Sequence, residues 1–328
     1  MSTRGAAPSV NRFPAGRGLP GRSARLHRRL DVLLRGAAWT GAMVVLVVTA
    51  ALGITLIRGA VTALYGLGTG FFVNDRWDPV DQQFGALKPI LGTAVSAAFA
   101  LSIAVPLSLG IALFVTELAP RWLSRLAAGV IEVLAAIPSI VYGMWGLFAV
   151  GPGLGSYVQP WLSRYPALLP VFQGEPAGHG MVSASLVLGI MIVPYVSMVA
   201  RDLFAMVPAT VKEAAAALGA TRWEVVRAVV LPHVRYGLVG AVILGLGRAA
   251  GETMAVIFLI GNRSDPGLAR VAPSDTIATT IARELTGATT DTHLSALMAL
   301  ALCLFVLSCG ILALGRALVM KTARKESA

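Results

Sequence analysis

Six long apolar stretches, separated by polar or glycine- and proline-containing segments, dominate the chain. They run from Gly36 to Ile57, Pro89 to Val115, Leu126 to Val150, Met181 to Leu203, Val234 to Ile260 and Leu294 to Leu314. A helix needs about 20 predominantly apolar residues to cross a bilayer. The pattern therefore predicts an all-α membrane protein with six transmembrane helices. Pro89 suits the first turn of the second helix. Pro106, Pro138 and Pro194 fall inside three of the stretches. The expectation there is a kink within a continuous span, because neighbouring helices satisfy the freed backbone groups. The first stretch is longer than the apolar region of a secretory signal and follows a long polar tail, so it reads as an uncleaved span.

Composition agrees. Hydrophobic residues make up 56% of the 328 residues and charged residues 13%, against about 25% charged in a typical soluble domain. So few charges cannot cover a soluble surface of this size. The net charge of +11 raises nucleic-acid binding as a reading. Its placement argues against it: Arg4, Arg12, Arg17, Arg22, Arg25, Arg28, Arg29 and Arg35 precede the first span, with Phe13 alone among them where base binding uses several stacking aromatics. Residues 1–30 are expected to be a basic, disordered tail, and residues 31–328 the membrane domain. With the N-terminus inside, 19 basic residues flank the cytoplasmic ends of the spans and seven the outer ends, leaving Arg248 within the fifth span. That asymmetry places both termini in the cytoplasm of a multi-pass plasma (inner) membrane protein. The two cysteines, Cys303 and Cys309, lie six apart on different faces of the last helix and read as small buried hydrophobes.

Three outer loops follow, roughly 58–88, 151–180 and 261–293. Their Gly, Pro, Asp and Trp content fits ordered turns that present a surface to an external partner, and fits plain connecting loops equally.

The cytoplasmic segment between the fourth and fifth spans, about 204–233, is more specific. Pro208 suits a helix start, alanines 214–217 favour a helix and Gly219 suits its stop. Thr221 and Glu224 have capping-box spacing for a second helix that runs toward Pro232. Small side chains beside Glu213 would let another protein's groove approach the backbone, as in a docking knob. A solvated linker helix is the other reading.

In the fifth stretch, Arg248 and Glu252 are four apart and are expected to share one helix face. Arg248 lies 14 residues beyond Val234, roughly 21 Å along a helix and inside a hydrocarbon core of about 30 Å. An arginine there costs about 2.5–3.5 kcal/mol, while an isolated i,i+4 pair contributes only about 0.2–0.5 kcal/mol. The pair should therefore face a bundle interior or a wet cavity. A guanidinium can grip an oxyanion with two hydrogen bonds, with Glu252 orienting it and limiting the grip. A structural ion pair between packed spans is the alternative.

The spacing Glu213-Ala214-Ala215, then Gly219, then Val229-Val230-Leu231-Pro232 resembles the EAA loop of ABC importer permeases. Together with WDPV at 77–80, GIALFVTELAP at 110–120, LAAIPSIVYGMWG at 134–146 and LGRAAGETMAV at 246–256, the chain resembles phosphate-specific ABC importer permeases of the PstC type over about residues 75–320. The resemblance implies the type I importer permease fold. It implies an EAA helix, with Glu213, Ala214, Ala215 and Gly219, seated in a cleft of a cytoplasmic ATPase. It also implies that Arg248 and Glu252 take part in phosphate movement. The expected partners are a second homologous permease, two ATPase subunits, an external phosphate-binding protein and membrane lipid, with no nucleic acid.

No cofactor is expected on the chain itself. It lacks a GxxxxGK[ST] phosphate loop, so ATP would be hydrolysed by partner subunits and this subunit would be a non-catalytic channel. Molybdate, sulfate or an amino acid are alternative cargoes. An intramembrane enzyme would need a catalytic constellation, and neither HExxH nor GxSxG appears.

Overall fold

The computed structural model describes residues 21–158, 180–260 and 275–326. The expected disordered tail up to residue 20, residues 159–179 of the second outer loop and residues 261–274 of the third lie outside the described residues. The chain divides into two units, one ending at Thr55 and the other running from Leu56 to Ala328.

Helix α1 spans Gly21–Leu67, so helical backbone begins before the boundary expected at residue 30. In the first unit every side chain from Leu30 to Leu52 is exposed. The apolar ones among them form a helix surface hydrophobic on all sides, which suits lipid.

In the second unit, the last turns of α1 are followed by a short helix α2, Gly70–Val73, and a two-stranded antiparallel hairpin. Its strands are β1 (Trp77–Asp78) and β2 (Gln83–Phe84), with Trp77 opposite Phe84. This part of the first outer loop is thus an ordered turn. Helix α3, Leu87–Leu113, continues through a wide turn at Phe114–Leu118. Together they make 32 residues, about 48 Å of helix. Next come α4, Arg121–Ala136, and α5, Ser139–Trp145, whose path continues helically to Val158. Helix α6, Met181–Ala205, leads into α7, Ala209–Ala217, and α8, Arg222–Val225. A wide turn at Val226–Val230 joins α8 to α9, Leu231–Ala250. After α10, Met254–Ile260, come α11, Ile277–Glu284, and α12, Asp291–Glu326.

Among the described residues five helices are long and apolar enough to span a membrane, or six if the bent pair α4 and α5 is counted as one span. Two of the expected spans are corrected. The third is a pair of helices bent by 92° at Ile137–Pro138, not a kinked rod. Pro138 cannot donate to a helical hydrogen bond and restricts the residue before it to extended backbone, and Ile137 has ψ 128°. The fifth is interrupted between Ala250 and Met254. Pro106 and Pro194, by contrast, sit within unbroken helices. Beside Pro194, the Ser108 and Ser197 hydroxyls both donate to the Val193 carbonyl, at 3.1 and 2.7 Å.

The core sits where α3, α6, α9 and α10 meet. Ala97, Ala100 and Ala104 of α3 face Leu188, Ile192 and Val196 of α6, with Ala241 and Ala249 of α9. Small side chains let helix backbones come close, which is how membrane helices gain packing without a hydrophobic driving force. A second cluster joins Ala60 and Ala63 of α1 to Ala296, Ala299 and Leu300 of α12. Ser295 bridges these helices, donating to the Gly59 carbonyl at 2.7 Å and accepting from the Ala63 N–H at 2.8 Å. Against that cluster, Phe84 of the hairpin stacks on the buried ring of His293, centroids 5.1 Å apart. The cysteines are less buried than expected: Cys303 is half-buried and Cys309 exposed, on the stretch of α12 beyond the second cluster.

Gly143 sets the approach of α5 to α10. A Cβ there would lie 2.8 Å from the Ala255 Cα, a backbone atom that cannot rotate away. A Cβ at Gly110 would meet nothing within 4 Å among the described residues. Gly143→Ala is expected to destabilise the protein by about 1–3 kcal/mol, the cost of overpacking, while Gly110→Ala is neutral. Thermal unfolding of the two purified variants in the same detergent decides it; equal midpoints would refute the close approach.

Candidate functional site

Two regions of the sequence carried candidate chemistry, and they lie on different parts of the fold. The first is the loop after α6. Its expected helix, turn and second helix are all present. Helix α7 starts behind Pro208 and ends where Gly219 adopts φ +91°, a left-handed conformation that costs glycine nothing and other residues much. Thr221 then caps α8. Its backbone N–H donates to a Glu224 carboxylate oxygen at 2.7 Å, and its hydroxyl accepts from the Glu224 N–H at 3.4 Å. That reciprocal arrangement is a capping box.

None of the residues of α7 is buried. Glu213 and Ala214 are exposed, and Ala215 is half-buried against a third apolar cluster built on Phe204, Val230 and Val234. Leu218 is 90% exposed and Trp223 62%. An apolar leucine and a tryptophan at the tip, beside a helix of alanines, form a projecting knob that water does not favour. Glu213 makes no ion pair among the described residues. Lys212 points the other way, with its ammonium 2.5 Å from a carboxylate oxygen of Glu117 in the wide turn that ends α3. Nearby, Arg201 of α6 pairs with Glu132 of α4 at 3.2 Å.

The second region is the interruption between α9 and α10. The expectation that Arg248 and Glu252 share one helix face is corrected. Helix α9 ends at Ala250, Gly251 caps it, and Glu252 and Thr253 are not helical. Among the described residues no ion pair joins Arg248 to Glu252. The Glu252 carboxylate instead accepts from the Ala255 N–H at 3.4 Å, in the manner of an N-cap. The physical reason is competition. Four N–H groups at the start of α10 lack helical partners, and a carboxylate three residues away satisfies one of them locally.

Arg248 has other company. It occupies the last turn of α9, where free carbonyls and the negative end of the helix dipole favour a cation. Its guanidinium lies 5.9 Å from the centre of the Tyr195 ring, at the limit of a cation–π contact. Its side chain is exposed on the single chain, and Glu252 is half-buried. A broken helix at membrane depth persists only where protein or a water-filled cavity covers its free backbone groups. Such breaks are also where transporters place fixed charges and helix ends toward an ion.

Sequence reasoning missed Tyr195 and Glu117. A tyrosine directly after Pro194 in an apolar span, and a glutamate closing another, were the available signals. Neither reveals its partner, because Tyr195 and Arg248 lie on different helices, and so do Glu117 and Lys212.

Residues 104–324 match the family described as binding-protein-dependent transport system inner membrane component. The phosphate transport system permease protein PstC of Haemophilus influenzae is 49% identical over 284 residues, covering 85% of this chain and 90% of that one. The protein of the same name from Xylella fastidiosa (strain 9a5c) is 43% identical over 325 residues, covering 97% and 98%. Among solved structures, a bacterial ABC transporter that imports the acidic polysaccharide alginate has a chain of the same fold. It superimposes with a TM-score of 0.55 at 18% identity, covering 89% of this chain and 99% of that one.

Proposed function

This chain belongs to the family of binding-protein-dependent transport system inner membrane components, and we propose that it is the permease subunit through which an ATP-driven importer passes inorganic phosphate into the cytoplasm. The observation that carries the cargo is identity of 43–49% over most of both chains to permeases named for phosphate transport. The subunit crosses the membrane several times and catalyses no bond cleavage of its own. Its basic residues put both termini in the cytoplasm. A second homologous permease lines the other side of the path, two ATPase subunits bind the cytoplasmic face and hydrolyse ATP, and an external phosphate-binding protein delivers the anion.

Within this subunit, Arg248 meets the phosphate. Its guanidinium offers a two-pronged donor set that matches an oxyanion, on a helix end that faces the path. Glu252 shapes the break beside it by capping α10. Its negative charge, close by in sequence, keeps the anion from being held too tightly to leave. At the cytoplasmic face α7 is the coupling helix. Glu213, Ala214 and Ala215 with the turn at Gly219 form the knob that enters the ATPase cleft, and the exposed Leu218 and Trp223 at its tip become buried there.

ATPase activity of the co-purified complex in lipid, with the external binding protein present, tests the assignment. Phosphate, sulfate and molybdate are added in turn. Stimulation by phosphate alone is expected. Stimulation by sulfate or molybdate instead would keep the importer class and overturn the cargo, and absence of a co-purified ATPase would overturn both.

A further inference from the structure

The coupling helix α7 is weakly held. None of its residues is buried, and its apolar packing is slight, with Ala215 half-buried against the cluster of Phe204, Val230 and Val234. One polar side-chain contact leaves α7 among the described residues, the ion pair from Lys212 to Glu117 at 2.5 Å. The two residues are 95 apart in sequence. Their side chains are 23% and 14% exposed, so both ends of the pair are largely sheltered from solvent. A pair sheltered from solvent is screened less than a surface pair, and separating it leaves a half-buried charge without a partner.

What lies behind Glu117 gives the pair its meaning. The wide turn at Phe114–Leu118 is continuous with α3. About 24 Å back along that helix, Leu101 reaches Gly245 of α9, together with Ile192 and Val196 of α6. A Cβ at Gly245 would lie 2.9 Å from Val196 Cγ2, 3.3 Å from Ile192 Cγ2 and 3.6 Å from Leu101 Cδ2. Gly245 is one turn before Arg248. A contiguous set of packed groups thus runs from the coupling helix through the ion pair and α3 to the broken span.

We propose that Glu117 is a positioning residue for coupling: through Lys212 it fastens α7 to α3, so that force applied to α7 by the ATPase reaches the helices around Arg248. The proposal rests on the reading of α7 as the ATPase docking helix. It assigns Glu117 no contact with phosphate or with the ATPase.

The test uses the complete complex in lipid with its binding protein, and inorganic phosphate as the probe. Glu117→Gln is expected to leave the ATPase subunits bound and unstimulated hydrolysis unchanged. Phosphate-stimulated hydrolysis should fall by roughly three- to tenfold, the range over which a connecting residue modulates coupling. The double exchange Glu117→Lys with Lys212→Glu restores the opposite charges and should recover most of the stimulation. A merely structural loss would lower both activities together and would not be rescued. Glu213→Arg is measured alongside. If Glu213→Arg uncouples and Glu117→Gln does not, or the exchange fails to rescue, the fastening role is wrong and the docking role stands. If Glu213→Arg itself leaves stimulation intact, the docking role is wrong and the fastening role goes with it.

Discussion

Arg248→Gln is expected to lower phosphate uptake by roughly ten- to a hundredfold, the loss of one charged hydrogen-bonding group worth about 1.5–3 kcal/mol, while the complex stays assembled. The effect follows from the position of Arg248. It has no carboxylate partner among the described residues, so its charge is balanced by the C-terminal end of α9 and the face of Tyr195. Neither carries a full negative charge, so under the proposed function the guanidinium is available to the anion. Arg248→Lys should lie between the two, since an ammonium keeps the charge and loses the planar fork. Uptake and co-purification are measured on the same preparations. Normal uptake by Arg248→Gln would show that the guanidinium is structural.

Glu213→Arg should remove phosphate-stimulated ATPase activity. Placing a like or uncompensated charge in a docked interface costs several kcal/mol, enough to weaken association by roughly a hundredfold or more. The side chain is exposed on a helix with no buried residues, so the substitution should leave membrane insertion and the fold of this subunit unchanged. Stimulated hydrolysis retained at the wild-type level would contradict docking through α7.

The sequence makes the loop between α6 and α9 almost completely legible because each of its signals is local. Pro208, the alanine run, Gly219 and the Thr221–Glu224 pair each act within a few residues, and the structure has the helix, the left-handed turn and the capping box where these residues predict them. The apolar stretches likewise locate the membrane passages. Hydrophobic continuity is silent, however, about breaks. Pro138 signals a disturbance but not a bend of 92°. A single Gly251 in an apolar run is compatible with an unbroken helix. Once the break is assumed, Glu252 reads naturally as the cap of the next helix, but from sequence alone its spacing from Arg248 reads as a salt bridge. Tyr195 beside Arg248, and Glu117 beside Lys212, depend on which helices become neighbours, and helical periodicity carries no information on that.

The central claim is that this subunit forms part of an ATP-driven path for phosphate. Uptake of radiolabelled phosphate into proteoliposomes tests it most directly, with the complete complex in the membrane, ATP on the side of the ATPase subunits and the binding protein on the other. The expected result is phosphate accumulation that requires both ATP and the binding protein, and that excess sulfate or molybdate does not compete away. Accumulation that persists without ATP, or that follows sulfate or molybdate in place of phosphate, would contradict it.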